Sequence, residues 1–192
     1  MHHKYHTEGL IIGGFPSREA NKFLLVFARD FGLVGASAQG TRNISSKYRY
    51  GLEECSLSDL SLVKGREHWK ITNVIPRDNF YFGRQVSQDK REIFVKVNAL
   101  LRRFLQGEEG DEVLFKIVLD GFRAIQKAPS LALETLETIL VLKIISSLGI
   151  LKNLGAFEDL IGKDFEEIEV LPKTEIKKIV SVINESLSES QI

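Results

Sequence analysis

Ten residues in the first seventy combine cationic and aromatic surface: Arg18, Lys22, Arg42, Lys47, Tyr48, Arg49, Tyr50, Arg66, Trp69 and Lys70. Ammonium and guanidinium groups neutralise phosphates without reading sequence. Aromatic rings offer platforms on which unpaired bases stack. The densest stretch is 42–49, where Arg42, Lys47 and Arg49 stand with no acid between them. The cations Arg18, Lys22, Arg42, Lys47, Arg49, Arg66 and Lys70 are therefore the expected nucleic-acid contacts. Trp69 and the tyrosines have a competing role as core fillers, because large aromatics are mostly buried.

Other chemistry is missing. Gly162-Lys163 is followed by Asp164, with no upstream glycine to make a phosphate-binding loop, and there is no dinucleotide fingerprint. Gly35-Ala36-Ser37-Ala38-Gln39 only approximates a nucleophile elbow and sits in a strand. His2, His3 and His6 lie in a terminal segment expected to fray. His68 reads as a surface strand residue, and Cys55 has no evident histidine partner. Glu166-Glu167-Ile168-Glu169 reads as a solvated edge. The expectation is a protein that is not an enzyme, with no cofactor, no metal and no small-molecule substrate.

The chain has 192 residues, 43% hydrophobic and 27% charged, enough for one ordinary domain or two small ones. Lys plus Arg number 26 and Asp plus Glu 26, so no nucleic acid is expected to wrap the whole surface. The charge is uneven, however. Residues 1–103 hold 17 basic and 10 acidic residues, and 104–192 hold 9 and 16. A basic part that meets an anionic partner fits this asymmetry. The single cysteine excludes an internal disulfide and suits a reducing cytosol. Met1-His2-His3-Lys4 opens no signal peptide, and the apolar stretch Leu131 to Leu151 carries Glu134, Glu137 and Lys143, so it reads as a buried helix rather than a membrane span.

The elements that must position these residues fall into two groups. Tyr5 to Ile12 reads as a strand ending at Gly13-Gly14, and Lys22 to Arg29 as a short buried strand. Asp30-Phe31-Gly32 is a tight turn with Gly32 free to take positive φ. Leu33 to Gln39 returns as a third strand whose small residues permit close approach. Glu54 to Val63 and Glu67 to Ile75 form a hairpin around Lys64-Gly65-Arg66, with Pro76 ending the fifth strand. Five short antiparallel strands in 1–80 suggest a small closed barrel, an OB-fold first and an SH3-like barrel second. From 81 to 192 the pattern is helical. Apolar stripes mark helices over Arg91 to Leu105, Asp111 to Lys127, Ser130 to Leu148, and a last one capped by Thr174. Asn153 to Leu171 is irregular and acidic. The fold class is thus α+β in two domains, 1–80 an OB-fold β-barrel and 81–192 an α-helical bundle, with the boundary near 77–88.

Several segments in this order point to a family. They are Thr7-Glu8-Gly9-Leu10-Ile11-Ile12, Arg18-Glu19-Ala20-Asn21-Lys22, Phe27-Ala28-Arg29-Asp30-Phe31-Gly32 and Gln39-Gly40-Thr41-Arg42. Leu142-Lys143-Ile144-Ile145-Ser146-Ser147-Leu148-Gly149 and Ile183-Asn184-Glu185-Ser186-Leu187 follow. Together they resemble the bacterial RecO family of recombination mediators over nearly the whole chain. The resemblance implies an OB-fold followed by a helical domain. It implies binding of single- and double-stranded DNA and annealing of complementary strands. It also implies work with RecR and single-strand-binding protein to load RecA, acting indirectly on the recombinase. No ATP and no membrane are involved, and the expected location is cytoplasmic, with the nucleoid. Two departures stand out. Many members carry a four-cysteine zinc site where 153–170 has no cysteine, and Gln39 stands where the family often has lysine. A protein-interaction adaptor that touches DNA little is the alternative.

Overall fold

The computed structural model describes residues 3–17, 21–40, 48–83, 86–151 and 154–190. The strands come first and the helices follow: β1 (Lys4–Ser17), β2 (Asn21–Ala28), β3 (Gly32–Ala38), β4 (Ser56–Lys64), β5 (Trp69–Asn79), then α1 (Gln88–Phe104), α2 (Glu112–Lys127), α3 (Leu133–Ser147), α4 (Glu158–Gly162) and α5 (Lys173–Glu189). The chain divides into two compact units, residues 1–112 and 113–192. Strands give way to helix near residue 80, but α1 stays with the strands. Its Asn98 Nδ2 donates to Cys55 Sγ at 3.2 Å, and Arg102 Nη1 donates to Glu54 Oε1 at 2.9 Å and to the carbonyl of Ile12.

The strands pair in a ring, β1-β2-β3-β5-β4 and back to β1. All contacts are antiparallel except β3–β5, a parallel seam of only three residue pairs. This partly open, five-stranded order is OB-like. Inside lie Ile11, Leu24, Val26, Val34, Ala36, Leu60, Leu62, Trp69 and Val74. Gly32, at φ +62, makes the β2–β3 turn, and a Cβ there would overlap the Glu109 carbonyl.

Three expected boundaries move. β1 does not stop at Gly13-Gly14 but runs to Ser17, because a bulge between Ile11 and Gly13 absorbs the glycines. Likewise β5 passes through Pro76 to Asn79. The register shifts opposite Leu57 and Ser58, so the proline's missing N–H falls at an irregularity in the ladder. Thr174 is not a cap, since α5 begins at Lys173 behind Pro172.

In the second unit α3 is buried on nearly all sides, with Leu136, Ile139, Leu140, Leu142, Ile144 and Ile145 all inside. The acidic stretch expected to be irregular contains α4 and two single 3-10 turns. Lys143 of α3 ties it down. Its buried ammonium donates to the carbonyls of Ile161, at 2.7 Å, and Lys163, and lies 5.1 Å from the Phe165 ring. Burial pulls the pKa of this ammonium down. Among the described residues, no cluster of three or more His, Cys, Asp or Glu is placed to hold a metal. No described helix is long and apolar enough to cross a membrane.

Candidate nucleic-acid interface

A row of paired residues crosses four strands. Phe15 on β1 pairs with Phe23 on β2, Phe23 with Ser37 on β3, and Ser37 with Lys70 on β5. Side chains alternate along each strand. The neighbours Leu24, Ala36, Ala38 and Trp69 point into the barrel, so the row faces out. Phe15 reaches that face through the bulge. It shares parity with inward Ile11, and the extra residue reverses the alternation.

The aromatic part of the row is open. Phe15 is 57% exposed and stacks on Phe23 with centroids 5.2 Å apart and planes at 26°. The His68 ring meets Phe23 edge-on at 5.6 Å. Gly35 makes room for the Phe23 ring, since a Cβ there would sit 2.9 Å from Phe23 Cζ.

Beside the rings two clefts share Ser37, Gln39 and Lys70. One, about 410 Å³, is also lined by Tyr48, Ile71 and Thr72. The other, about 250 Å³, is lined by Ser17, Asn21 and His68. Arg66 and Lys70 are exposed, and among the described residues no acid lies within ion-pair distance of either. Stacking platforms beside uncommitted cations suit an unpaired, phosphate-bearing strand. The strand 2–3 face and the β4–β5 loop are where OB-folds take oligonucleotides.

Residues 1–80 match the family model described as Recombination protein O N terminal. Through these residues the chain is similar to the N-terminal part of RecO proteins. Relatives named DNA repair protein RecO agree. That of Desulfitobacterium hafniense (strain DSM 10664 / DCB-2) is 30% identical over 76 residues, 40% of this chain and 28% of that protein. That of Alkaliphilus metalliredigens is 31% identical over 75 residues, 39% and 30% of the two chains. That of Thermodesulfovibrio yellowstonii is 25% identical over 169 residues, 84% of this chain and 65% of the relative. The chain thus spans less than two thirds of the length of these RecO relatives.

Within this barrel the expected contacts separate. Lys70 stands in the row, and Arg66 is exposed on the turn between β4 and β5. Arg49 is exposed on the turn before Tyr50–Leu52. Lys22 is committed to an ion pair, its Nζ 3.0 Å from Glu53 Oε2. Arg18, Arg42 and Lys47 lie outside the described residues. Trp69 fills the core at 3% exposure, its indole N–H donating to Glu108 Oε1 at 2.9 Å. Tyr48 packs against the core, and its hydroxyl donates to Asn73 Oδ1 at 3.4 Å. Cys55 is buried and its thiol is pushed up to about 12, chiefly by that burial.

Phe15 and Phe23 are not among the residues singled out from sequence, and His68 reads there only as a surface strand residue. Phe23 sits in an apolar run that reads as wholly buried, and Phe15 lies beyond the glycines that seemed to end β1. Strict period-two reading of 21–28 places Phe23 opposite Leu24 and Val26, which is the signal that finds it.

Proposed function

We propose that this chain binds unpaired DNA across the β1–β2–β3–β5 face and serves DNA repair and recombination without catalysing a reaction. The observation that carries this reading is the outward row in which stacked Phe15 and Phe23 adjoin the uncommitted cation Lys70. The RecO match of residues 1–80 supports it. Stacking favours bases that are not paired, so single strands bind at this row and duplex binds through phosphates alone. Two strands held without base readout can find their complement, which is annealing. In this role the chain works with RecR and single-strand-binding protein and acts on RecA through them. A groove of about 430 Å³ on the helical unit, with Lys127 beside Leu136 and Ile168 and with Lys116 and Arg123 both paired to Asp120, is where we place single-strand-binding protein.

The test is fluorescence anisotropy of a labelled single strand at several salt concentrations. Expected is binding whose log–log salt slope is about −0.7 per neutralised phosphate. No binding at low salt would leave the adaptor reading, with DNA touched only alongside a partner.

A further inference from the structure

The far end of β5 carries a second aromatic and cationic surface, on a turn pinned from several sides. Phe80 is fully buried, packs on Phe94 with centroids 5.8 Å apart, and donates its N–H to the Cys55 carbonyl at 3.1 Å. Asn79 Oδ1 accepts the N–H groups of Tyr81 and Phe82 at 2.9 and 2.8 Å. Asn79 Nδ2 donates to Ser56 Oγ at 2.6 Å, and that hydroxyl donates to the Tyr50 carbonyl at 2.9 Å. One asparagine and one serine therefore bind the turn at 80–82 to the 3-10 turn Tyr50–Leu52.

Outside these anchors, Phe82 is 64% exposed and Tyr50 79%. The Tyr81 and Phe82 rings meet edge-on at 5.0 Å. The Arg91 guanidinium lies 5.4 Å from the Tyr81 ring centroid, and its Nε donates to the Tyr81 carbonyl at 3.1 Å. Arg49 is exposed next to Tyr50. Among the described residues, neither Arg49 nor Arg91 has an acid within ion-pair distance. Asp78 is exposed nearby, its carboxylate accepting the Asn79 N–H at 2.7 Å.

A mobile loop could fold an exposed phenylalanine away, whereas a turn held this firmly keeps it in water. Apolar rings alone would suit many partners. Rings accompanied by two guanidiniums that pair with no acid among the described residues suit an anion that also has flat faces. The geometry points to a second binding site for an unpaired nucleic-acid strand, formed by Tyr50, Tyr81, Phe82, Arg49 and Arg91. Its Tyr81–Phe82 half lies past the end of β5 far from Lys70, and its Arg49–Tyr50 half adjoins Tyr48, which lines the cleft at Lys70. One barrel then offers a strand two stretches of contact. The inference rests on the chain's binding nucleic acid, not on which face binds first.

The experiment compares the intact protein with Tyr50→Ala/Phe82→Ala and with Phe15→Ala, using a long labelled single strand containing 5-iodouracil. Anisotropy reads affinity, and photo-crosslinking followed by peptide mapping reads position. All three side chains are exposed, and thermal melting checks that the fold is kept. Expected are crosslinks at both 50/82 and 15/23. The double variant should lose the first while keeping the second, with affinity down roughly fivefold or more. Wild-type affinity and crosslinks in the double variant overturn the second site and leave the β1–β2–β3–β5 face standing. A loss in the double variant with no effect of Phe15→Ala does the reverse. Absence of binding by the intact protein overturns both.

Discussion

On the β1–β4–β5 side of the barrel a cleft of about 450 Å³ is lined by Arg29, Arg77, Glu8 and Asp59. Arg77 Nε donates to Asp59 Oδ1 at 2.8 Å and lies 4.0 Å from Glu8, while Arg29 lies 3.6 Å from Asp30 and 4.0 Å from Glu8. Lys70 at the β3–β5 seam and Arg66 on the β4–β5 turn stand exposed with no such partner among the described residues. Both faces are polar, and both present two cations. The difference is commitment: one face has spent its positive charge on its own acids. The excess of basic residues in 1–103 is therefore no map of a binding site. Lys22, Lys64, Arg77 and Arg102 each sit in an internal pair, while Arg49, Arg66, Lys70 and Arg91 do not.

The largest effect should come from reversing the uncommitted pair. Arg66→Glu/Lys70→Glu should weaken single-strand binding roughly tenfold or more and flatten the salt slope by about 0.7 per lost phosphate contact. Arg77→Gln, on the committed face, should leave affinity and slope as they are. Anisotropy across salt decides. Equal losses in both variants would mean that the β1–β4–β5 cleft also meets DNA and that its internal pairs open on binding.

Next comes the aromatic part of the contrast. The β1–β4–β5 cleft lines no Phe, Tyr or Trp, whereas the opposite face stacks Phe15 on Phe23. Phe15→Ala should cost about 1–3 kcal/mol of single-strand affinity. With its side chain mostly in water, the fold should lose little. Duplex affinity, which uses no stacking, should not change. A parallel loss for duplex would assign Phe15 to backbone contact instead.

How far this contrast was legible beforehand depends on the residue. The five strands and their order along the chain follow from alternation and turn chemistry. The small residues of β3 correctly announced close approach, realised where Phe23 covers Gly35. The exposure of Arg66 and Lys70 follows from residue type, because a cation beside a hairpin turn is usually exposed. Lys22 has the same type but faces Glu53, thirty-one positions away, and no local pattern reveals such a partner. Phe15 was hidden by a bulge, which changes side-chain parity without changing composition. Trp69 was named with its neighbours because cations flank it, yet the alternation that puts Lys70 outside puts Trp69 inside.

A smaller effect tests whether commitment also stabilises the committed face. A double-mutant cycle of Arg77→Ala and Asp59→Ala should give a small favourable coupling in denaturant unfolding, as solvent-exposed ion pairs do. The pair lies largely in water, so salt should reduce the coupling. A coupling near zero would mean that the pair only withholds charge from ligands and adds nothing to the fold.

The smallest effect converts a committed cation into a free one beside the proposed binding face. Lys64 Nζ donates to Glu108 Oε2 at 2.9 Å, and the Trp69 indole donates to the other oxygen. Hydrogen bonds from Lys64 and Trp69 hold the Glu108 carboxyl below its ordinary value of 4.5. The contribution of this contact is therefore complete above that value and fades as pH falls through the lowered one. Trp69 is the only tryptophan, so its emission reports the step. Acidifying the native protein should shift that emission below the ordinary carboxylate range, and Glu108→Gln should remove the shift while keeping an acceptor for the indole. At neutral pH the same variant leaves Lys64 without its counter-charge, 61% exposed at the end of β4. If commitment is what separates the two faces, single-strand binding should then gain salt dependence by up to about 0.7 in slope, one phosphate's worth. An unchanged slope, with the emission step gone, would mean that a free cation at this rim is not enough and that the aromatic row sets where the strand can lie.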